Sequence, residues 1–165
     1  MLAIGLPTTT AFPANSVINM DFKVRRASID DIDDMVFIED ECFSTPWSKK
    51  SFLESFSHSP WHFFVATCDE RVVGYGGVYL ILDEGQISNI AVLNKYRKNG
   101  LGKAILESIF SVCRENGCER VTLELRESNS PARALYESCG FTEVGRRPNF
   151  YSSPIEAAIL MDKKL

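Results

Sequence analysis

Lys95-Tyr96-Arg97-Lys98-Asn99-Gly100-Leu101-Gly102-Lys103 decides the reading of this chain. Four positive charges and two glycines fall within nine residues of a protein whose formal net charge is -4. A helical pattern starts at once, with Leu101, Ile105, Ile109 and Val112 on one stripe and Ala104 and Leu106 beside it. A strand-like run, Ile87-Ser88-Asn89-Ile90-Ala91-Val92, precedes the glycines. The glycines therefore stand where a strand hands over to a helix. The first turn of a helix has unpaired N–H groups and the positive end of the dipole, and glycine admits a ligand close to that backbone. This points to a site for a phosphate or pyrophosphate; a solvated basic turn with a glycine cap is the competing reading.

Two other glycine motifs fail here. A P-loop needs a glycine at 97, where Arg97 stands, and Ser or Thr where Ala104 stands. A dinucleotide fingerprint needs a third glycine at 105, where Ile105 stands. R-K-N-G-L-G at 97–102 fits instead the acyl-coenzyme A loop R/Q-x-x-G-x-G/A.

Working outward, the pattern predicts β-α-α-β-β-β-α-β-α-β-β. That order gives an α/β mixed sheet with helices on both faces. Strands are expected at Phe22–Arg26, Phe63–Ala66, Val72–Tyr79, Ile87–Val92, Val121–Leu125, Phe141–Val144 and Ile155–Met161. Ser28, Ser48 and Ser130 read as helix N-caps. In the last helix Ala134, Leu135 and Cys139 are expected to face inward. At 165 residues the chain fits one domain, taken as 21–165 behind a loose extension over 1–20 that has no charged side chain before Asp21.

Composition excludes several classes. No apolar run approaches the ~20 residues of a membrane span. Mild acidity argues against broad nucleic-acid binding. The five cysteines are odd in number and lack C-x-x-C spacing, which favours free thiols in a reducing compartment over a metal site. His58 and His62 are separated by Pro60, which breaks the helix that would align them.

Glu124 and Tyr136 are the candidate catalytic pair. Thr122 and Glu124 share one strand face, while Val121, Leu123 and Leu125 share the other. Taken singly, Glu124 reads as a solvent-facing carboxylate and Tyr136 as a core aromatic. Together they suit acyl transfer from a thioester to an amine. A carboxylate can take the ammonium proton, backbone N–H groups at the end of Ile90-Ala91-Val92 can polarise the carbonyl, and a phenol can protonate the leaving thiolate. Cys139 offers a rival nucleophilic route, but it lies on an apolar stripe before a helix stop and reads better as a core thiol.

The run from about Phe22 to Met161 resembles the GNAT N-acetyltransferase superfamily, and within it the type that acetylates the N-terminal alanine of a ribosomal protein. The resemblance rests on N-I-A-V at 89–92, R-K-N-G-L-G at 97–102, and L-E-L-R-E-S-N-S-P-A-R-A-L-Y-E-S-C-G-F at 123–141. It extends to C-F-S-T-P-W-S at 42–48 and R-P-N-F-Y at 147–151. The resemblance implies acetyl-CoA as co-substrate, no metal, direct transfer in a ternary complex, and a monomer working in the cytoplasm. It makes Glu124 the proton acceptor and Tyr136 the proton donor. Ile90, Ala91 and Val92 would pair with the pantetheine arm. Lys98, Asn99, Gly100, Leu101, Gly102 and Lys103 would hold the pyrophosphate with Arg97 beside them, and Asn129 would bond the coenzyme. Trp47, Asn89 and Tyr151 are expected to line the acceptor groove, Tyr151 from a final hairpin loop; a core lid is the other reading of Trp47. Leu93-Asn94, Phe150-Tyr151 and Ala157 depart from the commoner pattern, the last two beside the expected groove.

The acceptor implied is a small-subunit ribosomal-protein terminus. Another terminus or a small amine, and a non-catalytic acyl-CoA-binding subunit, are the rivals. Asp30, Asp31, Asp33, Asp34, Glu39, Asp40 and Glu41 read as a solvated helix face, or as a field that steers a basic terminus inward.

Overall fold

The computed structural model describes residues 21–58 and 60–165; the extension expected over 1–20 lies outside them. The elements are β1 (Phe22–Arg26), α1 (Ile32–Cys42), α2 (Lys49–Phe56), β2 (Trp61–Cys68), β3 (Arg71–Ile81), β4 (Glu84–Val92), α3 (Leu101–Glu115), β5 (Arg120–Arg126), α4 (Ser130–Ser138), β6 (Thr142–Ser152) and β7 (Ile155–Lys164). One turn of 3-10 helix leads into α1 and another follows β4. The expected order of elements is the observed one.

The strands form one sheet in the order β1-β2-β3-β4-β5-β7-β6. Every pairing is antiparallel except β4 with β5. Ile105, Leu106, Ile109 and Phe110 of α3 pack on one face with Val121, Leu123 and Leu125 of β5. Ile32, Met35 and Ile38 of α1 and Phe52 of α2 pack on the other with Val65 and Tyr75. Full burial of each such large side chain stabilises the fold by roughly 1.5–3 kcal/mol before cavity and entropy costs. Gly76 lets α3 approach: a Cβ there would lie 2.4 Å from Ile105 Cγ2.

Three local expectations are corrected. Asn129, not Ser130, caps α4, its side-chain oxygen accepting from the Ala132 N–H at 3.2 Å. On that helix Tyr136 and Cys139 are buried and Ala132 packs against the core, while Ala134 is exposed. The sixth strand does not stop at Val144 but runs to Ser152, so Tyr151 lies on a strand opposite Glu156 and not in a hairpin loop. β6 is an edge strand exposed along most of its length, so it carries no inward alternation to read. Pro148 falls within a register shift of β6, where no ladder donor is needed.

Candidate active site

β4 and β5 pair only where Glu84, Gly85 and Gln86 face Arg120, Val121 and Thr122. Beyond that point β5 continues along β7, and the outer edge of β4 from Ile87 to Val92 has no strand partner among the described residues. A bulge sits in the same half of β4, where Ser88 and Asn89 together face the single residue Gly77 of β3. The gap between the two strands is the candidate site.

The α3 side of the gap is made of backbone. Gly100 has φ +80° and Lys98 φ +63°, and α3 begins directly after Gly100. The first intrahelical bond runs from the Ala104 N–H to the Gly100 carbonyl at 3.0 Å. The N–H groups of Leu101, Gly102 and Lys103 therefore have no backbone acceptor among the described residues, the arrangement that suits an anion. A groove of about 500 Å³ opens beside the loop, lined by Phe22, Val24, Asn99, Gly100, Leu101 and Ala104 among others. Asn99 is exposed and folds back on its own loop, its amide donating to the carbonyls of Tyr96 at 3.1 Å and Arg97 at 3.2 Å. Leu101 is a core residue, 4% exposed, so it offers the gap only its N–H.

Arg97 differs from expectation. Its Nε donates to the Val92 carbonyl at 2.8 Å, and its guanidinium lies 3.8 Å from the Cys42 sulfur. It ties the start of the loop to the end of β4 and does not point along the loop. Ile90 and Val92 are half-buried, and Ala91 is buried against the α1 side of the sheet.

Across the gap, the Glu124 side chain is 31% exposed and pairs with Arg147 of β6, Nη1 to Oε1 at 2.7 Å. Tyr136 is buried in α4 at 7% exposure, its ring edge-on to Phe141 at 5.7 Å. Its hydroxyl has no hydrogen-bond partner among the described residues. Burial pushes this phenol well above its ordinary value, with Tyr151 and Cys139 adding to the effect. Tyr151 is half-buried, and its phenol is raised by burial and then by the Glu124 charge. Tyr151 thus stands within electrostatic reach of both Glu124 and Tyr136.

Arg126 lies two residues from Glu124 on β5 and stacks on Tyr151, its guanidinium carbon 4.2 Å from the ring centre. It donates to the Ser153 carbonyl at 2.9 Å, the Pro154 carbonyl at 3.2 Å and the Ser44 hydroxyl at 3.4 Å, and it pairs with Glu156 at 3.3 Å. It therefore joins the α1–α2 loop to the β6–β7 turn.

Below that loop lies Glu39, 0% exposed. Tyr75 donates its hydroxyl proton to Glu39 Oε1. Asn89 Nδ2 donates to the same oxygen at 2.8 Å and to the Tyr75 hydroxyl at 3.1 Å. The Trp47 backbone N–H donates to Oε2 at 2.7 Å. Burial raises the Glu39 carboxyl above its ordinary value, and the donors from Tyr75, Trp47 and Asn89 oppose that shift. The Trp47 indole is half-buried and packs among Phe52, Trp61 and Phe63 at 5.3–6.5 Å, the packing expected of a core lid. The acidic face is corrected in the same way: Asp31 and Glu39 are buried, while Asp30, Asp33, Asp34, Asp40 and Glu41 are exposed.

Residues 32–141 match the acetyltransferase (GNAT) family. The chain belongs to that family. A Bacillus subtilis protein, named provisionally as a [ribosomal protein bS18]-alanine N-acetyltransferase, is 37% identical over 139 residues, 84% of this chain and 92% of its own. The [ribosomal protein bS18]-alanine N-acetyltransferase of Escherichia coli K12 is 36% identical over 126 residues, 75% of this chain and 84% of its own. The crystal structure of the Escherichia coli ribosomal-protein-S18-alanine N-acetyltransferase superposes with a TM-score of 0.80 at 32% identity, covering 87% of this chain and 94% of that one.

The protein is an acetyl-CoA-dependent N-acetyltransferase. The geometry fits that co-substrate: among the described residues the N–H groups at the start of α3 are free to bind an anion, and the β4 edge beyond Gln86 is free to pair with an amide-bearing arm. Among the described residues no three His, Cys, Asp or Glu side chains gather as a metal cluster, and no helix is long and apolar enough to cross a membrane. Sequence reasoning assigned no role to Arg126, Arg147 or Tyr75, and it read Glu39 only as part of the acidic helix face. Only Glu39 carried a signal, since a carboxylate in phase with Ile32, Met35 and Val36 is a buried carboxylate.

Proposed function

We propose that the protein acetylates the N-terminal alanine of a small-subunit ribosomal protein, by direct transfer from acetyl-CoA in a ternary complex. The observation that carries the reading is the β4 edge left open beyond Gln86, beside β5 with its half-buried Glu124. Relatives of 36–37% identity named for alanine N-acetylation of protein bS18 support the acceptor.

The N–H groups of Leu101, Gly102 and Lys103 hold the pyrophosphate, with Lys98 and Lys103 adding charge. The free edge of Ile90, Ala91 and Val92 aligns the pantetheine arm as an added strand. Asn129 uses its side-chain oxygen to cap α4 and keeps its Nδ2 for the coenzyme. Glu124 accepts a proton from the acceptor ammonium, directly or through water, and Arg147 yields its place on the carboxylate to the incoming amine. The amine nitrogen then forms the C–N bond as the C–S bond breaks, and its remaining extra proton passes to the Tyr136 phenolate left by protonation of the thiolate. N–H groups near the end of β4 stabilise the developing oxyanion. Tyr136 gives its proton to the departing thiolate, since a phenol of ordinary pKa ~10 is protonated at neutral pH. Tyr151, Asn89 and the Phe43–Ser48 backbone line the approach of the acceptor. The enzyme works as a monomer in the cytoplasm.

The experiment is acetyl transfer to short peptides that differ in their first residue, read by mass spectrometry. Acetylation confined to the α-amine of the alanine-led ribosomal sequence is the expected result. Equal labelling of every peptide, or of lysine side chains, would remove the acceptor assignment.

A further inference from the structure

We infer that Glu39 is a positioning residue for the acceptor, holding the α1–α2 loop and the β4 bulge in one fixed relation across the base of the acceptor groove. The inference rests on the acceptor groove described above.

Three donors converge on this one carboxylate from three separate parts of the chain. Trp47 brings the backbone of the loop, Tyr75 the middle of β3, and Asn89 the bulge of β4. Ile38, Phe52 and Tyr75 around it are all buried, so water does not share the load. A buried charge is costly to desolvate, and an apolar side chain of similar size would fill the space without that cost. What only the carboxylate supplies is acceptance at both oxygens. A glutamine there has one acceptor oxygen and one donor amide, so either Trp47 or the Tyr75–Asn89 pair would meet a donor with a donor.

The network touches the acceptor side only. It fixes the backbone between Phe43 and Ser48, whose other end Arg126 holds through Ser44. It also fixes the side chain of Asn89, at the point where β4 leaves β5. It has no contact with Gly100 or the first turn of α3. Glu39 therefore acts on capture of the acceptor amine and leaves coenzyme binding alone.

The test compares wild type, Glu39→Gln and Tyr75→Phe in the full chain. It measures acetyl-CoA affinity by calorimetry, the peptide KM and kcat, thermal stability, and hydrogen exchange over residues 43–48. Glu39→Gln is expected to raise the peptide KM at least fivefold, to change acetyl-CoA affinity less than twofold, and to speed exchange at the Trp47 amide. Tyr75→Phe removes one donor of the three and shows the same split at smaller size; it carries the test if Glu39→Gln does not fold. A wild-type peptide KM in the variants would overturn the proposal. So would equal losses for both substrates that follow the fall in thermal stability. If wild type acetylates no peptide, the acceptor reading is what fails. Glu39 is then judged by exchange over 43–48 and by the KM of whichever amine is turned over, and unchanged values there overturn it.

Discussion

The two sides of the proposed active site are built from different materials. The proposed coenzyme side is main chain from one short stretch, Arg97 to Lys103, in which Gly100 turns the backbone and the helix start supplies the donors. The proposed acceptor side is side chains from distant segments: Glu39 from α1, Ser44 from the following loop, Asn89 from β4, Arg126 from β5 and Tyr151 from β6. A backbone cradle is specified by local conformation. A groove held by Arg126 and Glu39 is specified by the whole fold. Substitutions on the two sides should therefore damage different substrates, and those where the sides meet should damage turnover.

Tyr136→Phe gives the largest expected effect. Removing a proton donor costs ~10²-fold or more in kcat, while acetyl-CoA affinity and peptide KM stay near wild type. An equal loss of affinity would make Tyr136 a packing residue of neither side. Arg126→Ala comes next. It removes charge-assisted bonds to Ser153 and Pro154 and the cover over Tyr151. Losing about 1.5 kcal/mol of such bonding raises the peptide KM ~10-fold and leaves acetyl-CoA titrations unchanged; a weaker coenzyme would break the comparison. Arg97→Ala is smaller. It frees the loop from the Val92 carbonyl, and a net hydrogen bond of ~0.5–1 kcal/mol corresponds to a roughly twofold to fivefold loss of acetyl-CoA affinity, with peptide KM unaffected.

The smallest effect sharpens the contrast through pH. Asp31 is held below its ordinary 3.8, first by Arg25, which donates two bonds of 2.7 Å, and also by Ser28. Its stabilising contribution is present above that value and is lost as pH falls through the depressed pKa. Glu39 has the opposite sign. Its carboxyl is raised above 4.5 by burial, so its contribution is most favourable below 4.5 and is lost as pH rises through the raised value. In thermal melts against pH, Asp31→Asn should flatten the acid limb below 3.8, and Glu39→Gln should flatten the slope just above 4.5. Identical effects would mean that the two buried acids of this region do the same work.

What the sequence revealed follows the same division. The order of elements, the apolar stripe of α3 and the Gly100 turn are local or periodic, and all were legible. The strand face that carries Glu124 was legible because β5 alternates, with Val121, Leu123 and Leu125 buried and Thr122 and Glu124 half-buried. The cap of α4 was misplaced by one residue because Asn129 and Ser130 are both good caps, and only tertiary placement chooses between them. The full length of β6 was hidden because an exposed edge strand has no buried face to impose a period. Glu39 was counted with Asp40 and Glu41 as a solvated charge, although its phase with Ile32 and Met35 marked it otherwise. Its donors lie 8, 36 and 50 residues away along the chain, and no local pattern joins them.

The most direct test of the account is a double-mutant cycle between its two sides. Gly100→Val strains the left-handed turn at φ +80°, by ~1–2 kcal/mol, and Arg126→Ala loosens the acceptor groove. Measured as kcat/KM for the alanine-led peptide at limiting acetyl-CoA, the two losses should add to within ~0.5 kcal/mol, as independent sites do. A coupling larger than ~1 kcal/mol would contradict two separately built sides and make the site a single cooperative unit.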